Sequence, residues 1–282
     1  MDQLEGRVAV VTGAGSGMGQ AMAQRFAGEG MRVVAADIEQ PALDATVAAL
    51  ADGGATAIGV RTDVSSASDV EMLAETAYTE FGGVHLVCAN AGVFTGGLVW
   101  ERTVADFEWT MGVNYFGIVH AIRSFVPRML AGGEPGHVVT TASMGGLVTN
   151  AYSGPYYGSK FAAVGLTECL AHDLASVGAP IGVSCLVPSL VATGIGTSGR
   201  NRPERFVDRL RPDPTPDAEF VDAAIRDSTA SGMAPDEVAD LVLDAVRADR
   251  FWIPTKPSYH DQIRGRHDDM QALRLPASPT LD

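Results

Sequence analysis

Short apolar runs recur along this chain, each followed by a longer stretch in which apolar residues return every three or four positions. The first run, Arg7 to Thr12 (Arg-Val-Ala-Val-Val-Thr), is β-branched and continuous, as in a parallel strand buried on both faces. Glycines follow, and then Met18, Met22 and Phe26 fall on one helical stripe, with Ala21 and Arg25 beside it, ending near Gly28 and Gly30. The same alternation predicts strands at 31–37, 56–63, 84–89, 137–142, 181–187 and 250–253, and helices near 67–81, 104–130 and 156–177. Strands alternating with helices in this order predict an α/β doubly wound fold, about seven parallel strands with helices on both faces, in one domain. Ligands in such sheets bind beyond the carboxyl ends of the strands. Asn90, Ser143 and Pro188 all fall at such ends, so the polar motifs near them converge in space.

The first loop carries chemistry. Gly13-Ala14-Gly15-Ser16-Gly17-Met18-Gly19 lies between a strand and a helix, the context that makes a glycine loop a phosphate-binding candidate rather than a plain turn. Glycines let the backbone approach a pyrophosphate, and free N–H groups at the helix start attract the anion. The second strand ends in Asp37, where a nucleotide-binding βαβ unit places an acid on the adenosine ribose hydroxyls. That carboxylate would repel a 2′-phosphate. Ile38, Glu39 and Gln40 add no cation, and Ser16 stands where a basic residue could have met the phosphate, so NAD is favoured over NADP. An acid that only caps the next helix is the plainer alternative.

A second constellation is Gly-Pro-Tyr-Tyr-Gly-Ser-Lys, with Tyr156 and Lys160 one helical turn apart and Ser143 upstream. A phenol with a pKa near 10 is a poor base at neutral pH. A nearby ammonium favours the phenolate, and a serine hydroxyl can both donate and accept, which suits moving a proton on or off a C–OH group. Taken alone, Tyr-x-x-x-Lys is equally an ordinary helix face.

These segments together resemble the short-chain dehydrogenase/reductase family, over roughly residues 5–255. The family's Thr-Gly-x-x-x-Gly-x-Gly appears as Thr12 to Gly19, and its Asn-Ala-Gly as Asn90-Ala91-Gly92. Its adenine-contacting acid matches Asp63, followed by Val64, and its catalytic asparagine, serine, tyrosine and lysine match Asn114, Ser143, Tyr156 and Lys160. One departure is visible: the family's Pro-Gly after the sixth strand is Pro188-Ser189 here, with Val191 and with Thr193 at the position that helps seat the nicotinamide carboxamide.

The resemblance implies one Rossmann-type domain over 1–282, binding NAD through Gly13, Ser16, Gly17, Met18, Gly19, Asp37, Asp63, Val64, Asn90, Ala91, Gly92, Tyr156, Lys160, Pro188, Val191 and Thr193. It implies hydride transfer between NAD(H) and a secondary alcohol or ketone. In that scheme Tyr156, acidified by Lys160, takes the hydroxyl proton, Ser143 orients the oxygen, and Asn114 anchors a water chain through Lys160. Family members form dimers or tetramers through the helices at 104–130 and 156–177, whose apolar residues here include Phe116, Ile118, Phe125, Leu166 and Leu170. An NADPH-dependent 3-oxoacyl-thioester reductase is the alternative enzyme, although its expected basic residue near Asp37 or Ser16 is missing. A regulator that binds NAD without turnover is the alternative from another class, and it has no need of an activated phenol.

The segment 189–233, rich in Gly, Pro and charge, including Gly194-Ile195-Gly196, Gly199 and Arg211-Pro212-Asp213-Pro214, reads as a substrate lid. The expected pocket wall, Val93, Phe94, Met144, Leu147, Leu190 and Ile195, is apolar, which favours a bulky apolar or aromatic substrate. From about 255 the chain continues as a C-terminal extension, and the tail from Phe251 (Phe-Trp-Ile-Pro-Thr-Lys-Pro-Ser-Tyr) resembles family members acting on bulky aromatic or terpenoid secondary alcohols. A net charge of −14 disfavours nucleic acid and anionic membranes as partners. No apolar stretch reaches the length of a membrane span, and the first residues do not read as a signal peptide. Cys88, Cys169 and Cys185 form no Cys-x-x-Cys pair and read as free thiols of a reducing cytoplasm. The six histidines show no metal-ligand spacing, and no metal is expected.

Overall fold

The computed structural model describes residues 1, 3–208 and 215–279. Arg211 to Pro214, read above as part of the lid, lie outside the described residues. Seven parallel strands form one sheet: β1 Val8–Thr12, β2 Arg32–Asp37, β3 Ala57–Arg61, β4 Leu86–Ala89, β5 Gly136–Thr141, β6 Ile181–Val187 and β7 Trp252–Pro254. Their spatial order is β3-β2-β1-β4-β5-β6-β7. The order reverses between β1 and β4, and a doubly wound sheet leaves its ligand crevice at that switch point.

The sheet is buried because each central strand is apolar on both faces. Along β1, Val8 and Val10 pack into one core cluster and Ala9 and Val11 into the other, the two-residue alternation of a pleated strand. Helices α1 Gly17–Gly28 and α2 Gln40–Asp52 cover one face with Met22, Phe26 and Leu43. On the other face lie α3 Ala67–Phe81, α4 Val104–Met111, α5 Gly117–Gly132 and α6 Gly154–Ser176, contributing Leu73, Trp109, Phe125 and Leu170. Helix α7 Pro216–Ala230 follows the segment after β6, α8 Pro235–Ala248 joins the α1 face, and α9 Tyr259–Gln271 closes the described chain. Among the described residues no helix is long and apolar enough to cross a membrane.

The helix expected over 104–130 is helical from Val104 to Gly132 but is not α throughout. A capping box between Thr103 and Asp106 starts α4, and five residues of π-helix, Gly112–Phe116, separate it from α5. Such insertions widen the turn and often mark functional positions. Asn114 sits within it.

One buried group outside the crevice sets an acid limit on the fold. His137, only 1% exposed, lies 2.8 Å from Ser184 Oγ through Nε2, and the Ser184 hydroxyl donates to the Arg250 carbonyl at 2.6 Å. Ser184 must therefore accept the Nε2 proton, and in the neutral ring the unprotonated nitrogen is Nδ1, 3.6 Å from Asp249 Oδ1. Burial pushes the His137 pKa from 6.5 down to about 4, against the pull of the Asp249 carboxylate. An unfolded chain takes up this proton near pH 6.5 and the folded one does not until near 4. The stability contribution is thus complete above about 6.5 and lost as pH falls toward 4, on the order of 3 kcal/mol. In thermal melts, His137→Gln should lose less stability than the parent between about pH 6.5 and 5. Parallel losses in the two proteins would show that His137 does not titrate in this way.

Candidate active site

Three strand ends are tied together at the switch point. The Thr12 hydroxyl oxygen accepts the backbone N–H groups of Asn90 (2.9 Å) and Ala91 (3.1 Å). Asn90 Nδ2 donates to the Thr12 carbonyl (3.0 Å), and its Oδ1 accepts from the Thr141 hydroxyl (3.1 Å). The ends of β1, β4 and β5 are locked side by side, and a cleft of about 380 Å³ opens above them.

One half of the cleft has the features of an anion cradle. Gly13 (φ +70°) and Gly17 (φ +54°) adopt left-handed backbone that side chains disfavour. A Cβ on Gly19 would overlap the Gly13 carbonyl oxygen, so helix α1 can approach β1 this closely only with glycine there. Ser16 sits at the N-cap of α1 without a side-chain capping bond, and the first turn has no acidic residue. The amides of that turn therefore face the cleft with the positive end of the helix dipole, which fits a pyrophosphate. Beyond them Asp37 accepts N–H groups from Gly15 (2.8 Å) and Glu39 (2.9 Å) and lines the cleft, as do Asp63 and Val64. The residues present thus fit a dinucleotide, with the anion over α1 and an acid at the end of β2.

The other half carries the proton-handling groups. Ser143 follows β5 in extended backbone, its Oγ accepting the Gly145 N–H (3.0 Å) and donating to the Pro188 carbonyl (3.4 Å). Tyr156 and Lys160 share one face at the start of α6, with the Lys160 Nζ 5.7 Å from the Tyr156 ring centroid. Lys160 is buried and donates to the Thr141 carbonyl at 2.8 Å. The acidification of Tyr156 by Lys160 expected from the sequence is not the dominant effect here. Burial pushes the phenol up, opposed by a hydrogen bond with Ser143, and the same burial pushes Lys160 from 10.5 down to about 8. The desolvated site favours neutral groups, and the ammonium is turned toward a carbonyl.

Every cofactor residue expected from the sequence lines this one cleft, as do Ser143, Tyr156 and Lys160. Asn114 does not. It is 1% exposed and lies behind the wall, accepting the Val93 N–H (2.8 Å) and donating to the Val93 carbonyl (3.0 Å) and to Ser159 Oγ (3.0 Å). Both amide protons are committed, so the groups of Asn114 left for the expected water chain are acceptors, the second lone pair of Oδ1 and the backbone carbonyl. Ser159 in turn donates to the Tyr156 carbonyl at 2.7 Å. Asn114 therefore braces Val93, in the loop after β4, against the first turn of α6. Ser159 was missed because a serine inside a helix carries no sequence signal of its own.

The pocket wall also departs from expectation at one position. Val93, Phe94, Met144, Leu190 and Ile195 line the cleft, whereas Leu147 packs against the core. Tyr152, Tyr157, Phe220 and Val221 complete the wall from segments distant in sequence. At the opposite end the fold supplies a cation that the neighbours of Asp37 lack: Arg200 reaches Glu39 at 2.7 Å. Burial pushes the Tyr157 phenol up to about 12, and its ring meets that of Tyr156 edge-on at 6.1 Å.

A family model described as short chain dehydrogenase matches residues 7–204. A crystal structure of a short-chain dehydrogenase/reductase from Burkholderia phymatum in complex with NAD is 42% identical, with a TM-score of 0.96 and coverage of 99% of both chains. A 1-deoxy-11-beta-hydroxypentalenate dehydrogenase of Streptomyces avermitilis is 35% identical, over 95% of this chain and 91% of the relative. A CLA biosynthesis dehydrogenase/reductase of Lactiplantibacillus plantarum is 32% identical, over 94% and 93%.

Proposed function

The chain belongs to the short-chain dehydrogenase/reductase family as an NAD-dependent oxidoreductase acting on CH–OH groups, and we propose that its substrate is a bulky apolar or aromatic secondary alcohol, or the matching ketone. The observation that carries this reading is one cleft with an anion cradle and Asp37 at one end, and Ser143, Tyr156 and Lys160 under an apolar wall at the other. The relative named for a hydroxypentalenate supports a hydroxyl-bearing substrate, and the wall of Phe94, Met144, Leu190 and Phe220 supports an apolar body.

NAD, when bound, supplies the ring carbon that takes or returns the hydride. The glycine loop and the first turn of α1 hold its pyrophosphate, and Asp37 takes the ribose hydroxyls. Asp63 and Val64 border the adenine, and Asn90, Ala91, Gly92, Pro188, Val191 and Thr193 wall the nicotinamide end. Ser143 and Tyr156 hold the substrate oxygen. Tyr156 removes the hydroxyl proton in oxidation and gives it back in reduction. Lys160, when protonated, favours the phenolate; once it has lost a proton to solvent water, its neutral amine can take the proton that Tyr156 has collected. Asn114 and Ser159 hold the Tyr156 backbone in register with the strand ends. The described parts of the segment 189–233, residues 189–208 and 215–233, act as the lid.

A panel of aromatic, alicyclic and straight-chain secondary alcohols and ketones, offered with both cofactors, tests the whole reading. Turnover restricted to acyl-thioester ketones with NADPH would replace it. Tyr156→Phe removes only the hydroxyl, so folding and NAD affinity should persist while turnover falls about 10²–10⁴-fold. Tyr157→Phe, one position round the helix, should retain most activity. Near-full turnover in Tyr156→Phe, or abolition by Tyr157→Phe, would refute the assignment of the base.

Cofactor choice follows from Asp37. Titration should show tighter binding of NAD than of NADP, with Asp37→Ala narrowing the difference. Equal affinities in the parent would contradict the repulsion argument.

We further propose a dimer or tetramer built on α5 and α6. Ile118, Phe125 and Leu170 are buried within the chain, while Phe116 is 46% exposed and Leu166 is partly buried, so the available apolar face is narrower than the sequence suggests. Light scattering at micromolar concentration should return a multiple of the 29.4 kDa chain. A monomeric mass would overturn this assembly.

A further inference from the structure

The segment after β6 does more than face the substrate end. Residues 194–206 carry Arg200, Arg202 and Arg205, and each meets a carboxylate of a different element. Arg200 Nη2 pairs with Glu39 Oε1, just beyond β2, at 2.7 Å, and Asn201 Nδ2 donates to the same oxygen at 2.7 Å. Arg205 Nη2 pairs with Asp63 Oδ2, just beyond β3, at 2.6 Å and donates to Ser65 Oγ at 2.7 Å. Arg202 Nη1 pairs with Asp106 Oδ1 of α4 at 2.6 Å, its guanidinium 5.2 Å from the Trp109 ring centroid. Arg200, Asn201 and Pro203 line the cleft together with Asp37, Glu39 and Asp63.

The three pairs are not equivalent. Arg202 and Asp106 are 12% and 4% exposed, and separating such a pair would strand a buried charge. Arg200 and Glu39 are 42% and 33% exposed, and Arg205 is 50% exposed against 12% for Asp63. The Arg200–Glu39 pair is open to solvent on both sides and breaks at small cost, and at the other latch the exposed Arg205 can leave while the Ser65 N–H and hydroxyl keep their bonds to the Asp63 carboxylate. Both outer carboxylates are held low in pKa, Glu39 by the Asn201 and Arg200 bonds and Asp63 by Ser65 and Arg205 against its burial, so they stay charged at neutral pH. One inner pair fixes the segment and two outer pairs latch it across the ends of β2 and β3.

We propose that residues 194–206 form an ionic strap over the adenosine half of the bound dinucleotide, with Arg200 and Arg205 as positioning residues that control cofactor release. This rests on the reading above that the adenosine lies against Asp37 and Asp63. The dinucleotide leaves that end only when the two outer latches open, while Arg202–Asp106 stays closed as the hinge. Screening of exposed charges then makes release faster at high salt.

The test is stopped-flow displacement of NADH from the full chain by excess NAD, followed by NADH fluorescence at about 0.05 and 0.5 M KCl. The parent should release NADH faster at the higher salt. Arg200→Gln/Arg205→Gln should release it about 5- to 25-fold faster at low salt, from up to about 1 kcal/mol per latch, and respond little to KCl. Arg200→Lys/Arg205→Lys should recover slow, salt-sensitive release, which a purely structural defect would not. Asp37→Ala separates the two readings. NADH affinity unchanged in that variant would remove the adenosine site itself. Weaker affinity there, with the Gln variant matching the parent in rate and salt response, would leave the site standing and overturn the strap.

Discussion

The hydrogen bonds joining Thr12, Asn90 and Thr141 are the constraint on which the rest of the site depends. They sit where the strand order reverses, and they bind the ends of β1, β4 and β5 at fixed spacing. The glycine loop leaves from β1, the Val93–Phe94 wall from β4 and Ser143 from β5, so one network sets three walls at once. All three side chains are buried, and an unpaired polar group in such a place costs about 1–3 kcal/mol. That penalty gives the network one satisfactory arrangement. Asn114 extends the same logic, linking Val93 through Ser159 to the Tyr156 backbone.

Desolvation governs the chemistry above this frame. Lys160 is buried and Tyr156 half-buried, and both are pushed toward their neutral forms. A lysine lowered to about 8 stands close enough to working pH to carry its proton or release it. The Ser143 hydroxyl opposes burial at the phenol, so the proton position is set by competition between dehydration and a few directed bonds.

Charge is organised on a larger scale at the Asp37 end of the cleft. The chain carries a net charge of −14, and Asp37, Glu39 and Asp63 crowd one edge of the cleft. Arg200 and Arg205 neutralise two of these acids, and Asp37 remains to bond with backbone amides. This arrangement keeps Arg200 engaged with a carboxylate and leaves the acid at the end of β2 without a cationic partner among these three arginines.

Much of the fold and half of the site were legible in the chain itself. Continuous apolar runs imply buried strands whatever surrounds them, and β6 spans the expected 181–187. Glycines at Gly13, Gly17 and Gly19, and Tyr156 one turn before Lys160, carry local geometric requirements, so sequence spacing suffices to place them. The π-helix at Gly112–Phe116 was not legible, because the turn widens around bonds that Asn114 makes with Val93 and Ser159. Leu147 reads as well as Met144 for a pocket wall, yet only packing turned it to the core. The approach of Arg200 to Glu39 and of Arg205 to Asp63 joins residues about half the chain apart, and an arginine bears no mark of its distant partner. Local backbone demands were written in the sequence. Which buried groups lose their water, and which charges meet across the cleft, was decided by the tertiary structure, because desolvation and ion pairing depend on distances that only the folded chain sets.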